Sequence, residues 1–431
     1  MSESDLKPED VAIRAHDIAV CLQSDSVAEF DLLTTLGMAV RLALHLRGVP
    51  AVSYSVIRQV AVYFLDFQSA GVRPVLHLLA EAEFVRLDVE GKTIKTVIPT
   101  VPYYEKVFTD LGDFAGIGHL SEPEFLAVQL LHRLAQSPML RDHAYQLGAE
   151  RSLVDRVLDI GNQGAFMIEQ RARGRSVLVS PTYFSESQDA YADLVAGHGA
   201  GRVKKVLDLL RANQGWPLAK LQKDGELGGV ALDRGDLAVA GALAGEGFVP
   251  PPAIETSHHG MNFFLFGPRP GPTRLAPTRR PVYEAAMALV AAVRQGQLLP
   301  ERYSIRSPKA LLRSFKEKGY LRANTEALEQ YRGVAAARVA RLEDLGSGWG
   351  KLVLIDERPE NLEALDMAIE LVAGAEPPIE PGQDIVLALR KGERYVESLV
   401  GRRKLIREGG AIEIDEESRE AVDSYLLRGR E

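Results

Sequence analysis

A single cysteine, Cys21, stands in 431 residues, so neither an intramolecular disulfide framework nor a thiolate zinc site can be built within one chain. That scarcity fits a reducing, cytoplasmic setting. The sequence also lacks an uncharged apolar run long enough to span a bilayer, and its first residues, Met1-Ser2-Glu3-Ser4-Asp5, are acidic where a signal peptide is basic. Neither export nor a membrane partner is expected. Positive charge in bulk is missing too: a net charge of −8 excludes a uniformly basic nucleic-acid coat and leaves room only for a local basic face. What is present, 46% hydrophobic and 26% charged residues, is the balance of a folded globular chain whose length calls for several small cores in series.

The strongest signal is a repeat. Glu83-Phe84-Val85, Ala165-Phe166-Met167 and Gly247-Phe248-Val249 each close an apolar segment of helical period, and the three phenylalanines are spaced 82 residues apart. After each Phe comes a β-type run, a polar or glycine-bearing turn, and a second β-type run that stops at proline. The turns are Glu90-Gly91-Lys92, Arg173-Gly174-Arg175 and His258-His259-Gly260; the prolines are Pro99, Pro181 and Pro268. Alternating apolar residues about a tight turn predict half-buried hairpins. Before each Phe lies a helix marked by Val75-Leu78-Leu79, Leu153-Val157-Leu158 or Leu237-Ala240-Leu243, and further back an amphipathic helix over 32–46, 125–134 or 203–210.

Helices followed by a hairpin in about 80 residues make the segment 25–270 resemble the winged helix-turn-helix superfamily. A divergent fourth unit is expected to open with a helix over 282–293. A second helix follows, N-capped by Ser307 with Pro308 in its first turn, and its end at Gly319-Tyr320-Leu321 echoes the Phe junctions. An extra helix is expected over 326–342 and a strand over 351–355. The fold expected is thus mainly α with small β-hairpin wings, in units 1–118, 119–199, 200–272 and 273–375, with a charged helical tail over 376–431.

The resemblance implies that a third helix enters the major groove while the wing touches the phosphate backbone, so basic residues on those elements are the candidates. The first unit is nearly neutral and the third poor. The second carries Arg151 and Arg156 on its helix and Arg171, Arg173 and Arg175 on its wing. Residues 269–341 hold fifteen Lys or Arg against five Glu and no Asp, centred on Arg302, Arg306, Lys309, Arg313, Lys316, Lys318 and Arg322. Helical spacing puts Lys309, Arg313 and Lys316 on one side. The function expected is a non-enzymatic, DNA-associated binding protein. The alternative is a protein-interaction adaptor of a larger DNA-processing, SMC-like or defence complex, and either is compatible with a homo-oligomer.

Catalytic patterns fail on inspection. Gly91-Lys92-Thr93 resembles the end of a phosphate-binding loop, but Arg86 occupies the place of its first glycine and the motif sits in a hairpin. Glu90 and Lys92 match half of a nuclease site whose second carboxylate, Asp88, is on the same strand. His258 and His259, adjacent on a strand, point to opposite faces and do not chelate one ion; neither a metal nor a cofactor is expected. Cys21 reads as a buried structural thiol. Trp349, amid Gly346, Ser347, Gly348 and Gly350, reads either as a stacking platform or as a cap on the core, the cap being favoured.

Overall fold

Alternation about tight turns and helical period before them produce a mostly helical chain with small antiparallel sheets. The computed structural model describes residues 6–23, 27–102, 104–115, 120–184, 188–245, 253–256, 260–268, 279–299, 304–355, 358–374, 385–386 and 389–390. The chain divides into two compact units. The smaller is built on 38–107, and the larger takes 1–22, 26–37 and 108–380.

Helices α1 (Pro8–Leu22) and α2 (Asp31–Leu46) come first. The smaller unit continues from the second half of α2 through β1 (Val52–Ser53), α3 (Tyr54–Phe64), α4 (Val72–Glu81), β2 (Val85–Glu90) and β3 (Thr93–Pro99). Its strands lie in the order β1-β3-β2. Val56, Ile57, Val60, Val75, Leu76, Leu79 and Phe84 are buried, so the apolar stripes of α3 and α4 close on the sheet.

The larger unit repeats that plan three times. Helix α5 (Tyr104–Ala115) leads into α6 (Glu122–Gln136), β4 (Met139–Leu140), α7 (Arg141–Ala144), α8 (Arg151–Gln163), β5 (Ile168–Ala172) and β6 (Arg175–Val179). Then come α9 (Gln188–His198), α10 (Ala200–Ala212), β7 (Trp216–Pro217), α11 (Leu218–Asp224), a small hairpin of β8 (Glu226–Leu227) and β9 (Val230–Ala231), α12 (Arg234–Gly245), β10 (Ala253–Thr256) and β11 (Gly260–Leu265). The last part is α13 (Arg280–Gln295), α14 (Pro308–Lys318), β12 (Tyr320–Asn324), α15 (Ala327–Gln330), α16 (Arg332–Ala336), β13 (Ala340–Asp344), β14 (Gly350–Leu354) and α17 (Pro359–Val372). Each three-stranded sheet keeps one order, first strand beside third and third beside second: β4-β6-β5, β7-β11-β10 and β12-β14-β13.

The junction between the last helix and the hairpin has a common backbone cause. Glu83, Ala165 and Arg338 are left-handed, with φ of 62°, 54° and 55°. The next residue donates its N–H five residues back: Phe84 to Leu79 at 2.8 Å, Phe166 to Gly161 at 3.0 Å and Val339 to Val334 at 3.3 Å. This is the closing bond of a Schellman motif, which satisfies an orphan carbonyl and turns the chain out of the helix. Phe84, Phe166 and Val339 are all buried. Phe248 and its neighbours lie outside the described residues.

The fourth unit is therefore assembled differently from the expectation. The second helix does end at Gly319, which caps α14 at φ 73°, but the chain does not pass from there into the hairpin as it does at the Phe junctions: Tyr320 opens β12, the first strand of the sheet. The single helix expected over 326–342 is two short helices and strand β13, because the left-handed turn at Arg338 breaks it. The expected strand over 351–355 is present as β14, and its hairpin with β13 holds Ala340 opposite Leu354 and Asp344 opposite Gly350.

Candidate nucleic-acid interface

The second hairpin turns through Arg173 and Gly174, both at positive φ (49° and 75°), with Ala172 opposite Arg175. Two positive-φ residues in a two-residue loop suit the right-handed twist of the strands. The turn sends its arginines outward, but not all of them to solvent. Arg173 forms a bidentate pair with Asp193 of α9 at 2.7 and 2.6 Å, and that hydrogen bonding holds the Asp193 carboxyl below its ordinary range. Arg156 is likewise committed, to Glu29 at 2.7 Å, which lowers the Glu29 carboxyl in turn. The Arg151 guanidinium lies 4.6 Å over the Tyr145 ring. Arg171 and Arg175 are exposed, and among the described residues neither is paired with a carboxylate. Between hairpin and helix, Arg141 bridges Asp155 at 2.8 Å and Glu169 at 2.6 Å.

In the fourth unit α14 starts as its sequence requires. Ser307 accepts a hydrogen bond from the Ala310 N–H at 3.3 Å, and Pro308 fills the first turn. Leu312 and Phe315 are buried, and this fixes the rotation of the helix. At roughly 100° per residue, Lys309, Arg313 and Lys316 fall on one side, and Leu311, Ser314 and Lys318 about 170° away. Lys316 is paired with Asp366 of α17. Lys318 and Arg322, with Tyr320 between them, line a cavity of about 1130 Å³ on the other side. The basic run over 302–322 thus serves two opposed surfaces. Arg306 and Arg313 are exposed; Arg302 lies outside the described residues.

Four cations that sequence reasoning did not single out stand on the third helix of this unit, on the turn after it and on its hairpin. Arg332 begins α16, Arg338 follows it, and Arg341 and Lys351 stand on β13 and β14. Arg332, Arg338 and Arg341 are exposed. Among the described residues no carboxylate pairs with Arg332 or Arg338; Arg341 meets Glu343 at 3.3 Å. On the outer face of the sheet Tyr320 and Arg341 both lie opposite Val353, and the Lys351 ammonium sits 4.5 Å over the Tyr320 ring. The hairpin tip runs through Gly346, Ser347 and Gly348, all at positive φ, and leaves Trp349 48% exposed beside Leu345 at 56%. The expectation that Trp349 caps the core is not met. The signal for this assembly was the Arg338-Val339 junction, which keeps the backbone turn of the phenylalanine junctions without the aromatic.

Elsewhere charge is used for packing. Asp17, fully buried on α1, accepts hydrogen bonds from the Tyr183 hydroxyl and from Arg14, with His16 Nδ1 at 3.3 Å. Cys21, expected to be buried, is half-buried; desolvation pushes its thiol up to about 11, so it stays protonated at neutral pH. Glu90, Gly91 and Lys92 form the tip between β2 and β3, with Glu90 paired to Lys95 at 3.2 Å. His258 and His259 lie outside the described residues. Among the described residues no group of three or more His, Cys, Asp or Glu is placed to hold a metal ion, and no helix is long and apolar enough to cross a membrane. No family model, curated protein or solved structure matches the chain.

Proposed function

We propose that the chain is a tandem array of winged-helix-like units that binds DNA through the third helix and wing of the fourth. The common strand order, first beside third and third beside second, supports the architectural part. The observation that carries the DNA reading is the placement of Arg332, Arg338, Arg341 and Lys351, with the exposed Trp349, on and between the third helix and wing, the elements that a winged helix presents to a groove and its backbone. Arg171 and Arg175 of the second hairpin supply a further contact. The protein works by binding, and no chemical step enters this reading.

The test is fluorescence anisotropy with a labelled 24-base-pair duplex at 50 and 200 mM salt. Each lost phosphate contact makes the salt slope shallower by about 0.9, so R332A/R338A is expected to reduce it by about 1.8. Over that fourfold range of salt the double variant then loses about twelvefold less affinity than the parent. Absence of duplex binding at 50 mM, or an unchanged slope, overturns the proposal. A second reading, the protein-interaction adaptor, is favoured by the commitment of Arg156 and Arg173 to internal pairs, and it predicts the first of those two results.

A further inference from the structure

The cavity on the other side of α14 has a shape that the DNA reading does not use. Every residue of β12, Tyr320–Asn324, lines it, and so do Thr325 and Glu326. Successive side chains of a strand point to opposite faces, so a wall made of consecutive residues is the strand's edge and not one of its faces. In the order β12-β14-β13, β12 is the outer strand, paired with β14 alone. A register shift between Leu321 and Asn324 loosens that pairing and brings both Arg322 and Ala323 to the cavity. Among the described residues no backbone hydrogen bond reaches the open edge of this strand.

The remaining walls sort by chemistry. Leu299, Ile305 and Leu311 are apolar and continue the buried side of Leu321; Lys318 and Arg322 are basic, against the one carboxylate of Glu326. A five-residue strand runs about 17 Å, and one more strand at the usual spacing, with side chains on both faces, needs on the order of 800 Å³. The cavity offers about 1130 Å³.

We propose that this groove takes an extended acidic peptide of a partner protein, which adds as a fourth strand to β12. Main-chain hydrogen bonds to the open edge give affinity, and alternate side chains give selectivity. The apolar ones lie against Leu299, Ile305 and Leu311, the acidic ones beside Lys318 and Arg322. The inference goes beyond DNA binding and stands without it, because it shares no residue with the Arg332 and Arg338 cluster.

The experiment uses the full chain and the synthetic peptide acetyl-Glu-Val-Asp-Ile-Glu-Val-Asp-amide, carrying a fluorophore, in an anisotropy titration. The peptide is expected to saturate, and K318E/R322E, at two exposed side chains, is expected to leave the circular dichroism unchanged and to weaken binding at least about tenfold. N-methylation of alternate amides is the decisive control, since it keeps every side chain and removes the donors from one edge of the peptide. One methylated set should abolish binding and the other should not. The proposal is overturned by no saturation at about 1 mM, by equal binding of a scrambled or of both methylated peptides, or by indifference to K318E/R322E. Displacement of the peptide by a dT oligonucleotide whose own binding K318E/R322E weakens also overturns it, by giving the groove to nucleic acid.

Discussion

Gly37 provides a test of the packing in which two known effects oppose each other. It lies in α2, where exchange for alanine gains about 0.8–1.0 kcal/mol of helix propensity. A Cβ built there stands 2.1 Å from the Ala15 carbonyl oxygen and 2.6 Å from the Ala19 Cβ of α1, where real contacts stay beyond 3.0 Å. The obstacle is backbone, so no rotamer change relieves it. Helix α1 has to recede by about 1 Å along the buried stripe of Ala12, Ala15 and Ala19, and overpacking of this kind costs about 1–3 kcal/mol, occasionally more. Taking the upper end and subtracting the propensity gain, G37A is destabilised by about 2 kcal/mol. Gly241, on the exposed side of α12 with nothing within 4 Å of its Cβ, is the control in which only propensity acts. At about 2 °C per kcal/mol for a unit of this size, G37A should melt about 4 °C below the parent and G241A about 2 °C above. Both tryptophans, Trp216 and Trp349, lie with these glycines in the larger unit, so intrinsic fluorescence reports the relevant transition. A G37A protein that melts at or above the parent temperature refutes the close approach of α1 and α2.

The buried cluster on α1 should behave as a hub. Asp17→Asn removes the charge that faces Arg14 and the Tyr183 hydroxyl and is expected to cost about 3–5 kcal/mol, whereas Tyr183→Phe should cost about 1–3 kcal/mol; urea denaturation giving the reverse order would deny the carboxylate that role. Acid titration offers a second check. Hydrogen bonds from Tyr145 and then Arg141 hold the Asp155 carboxyl below its ordinary value of 3.8. The native state therefore favours the ionised form: its contribution is complete above about pH 4 and is lost as pH falls through the depressed folded value. Asp155→Asn should lower stability at pH 7 and flatten the acid limb, and an unchanged acid limb would count against the pairing.

Much of this architecture can be read from residue order, and the parts that cannot have identifiable reasons. The hairpins at β2–β3 and β5–β6 follow from alternation about Gly91 and Gly174, and the 82-residue spacing of Phe84 and Phe166 marks a real backbone event. The strands β1, β4 and β7 escape because each is two residues long, too short for any period. The fourth unit misleads because Val339 stands where the others have Phe, so a search for aromatics settles on Tyr320. Spacing places Lys309, Arg313 and Lys316 together correctly. It gives no sign that Asp366, fifty residues on, answers Lys316, or that Glu29 answers Arg156 across 127 residues. Counter-charges that arrive through tertiary structure are invisible to a charge count.

Those counter-charges bear on the proposed DNA contact through geometry more than through pair energy. Arg156–Glu29 and Arg173–Asp193 are partly exposed pairs, each worth about 0.2–1 kcal/mol, so a phosphate could displace either carboxylate at little cost. Displacement does not remove the carboxylate. Glu29 and Asp193 stay within a Debye length of about 8 Å at physiological salt, and both are held in their ionised form, so each repels the phosphate that its arginine attracts. Arg332 and Arg338 form no ion pair with a carboxylate among the described residues, so a phosphate there displaces no partner. For that reason the salt dependence of DNA binding should be set by α16 and its wing, and R156A/R173A should leave the slope nearly where it was while R332A/R338A changes it.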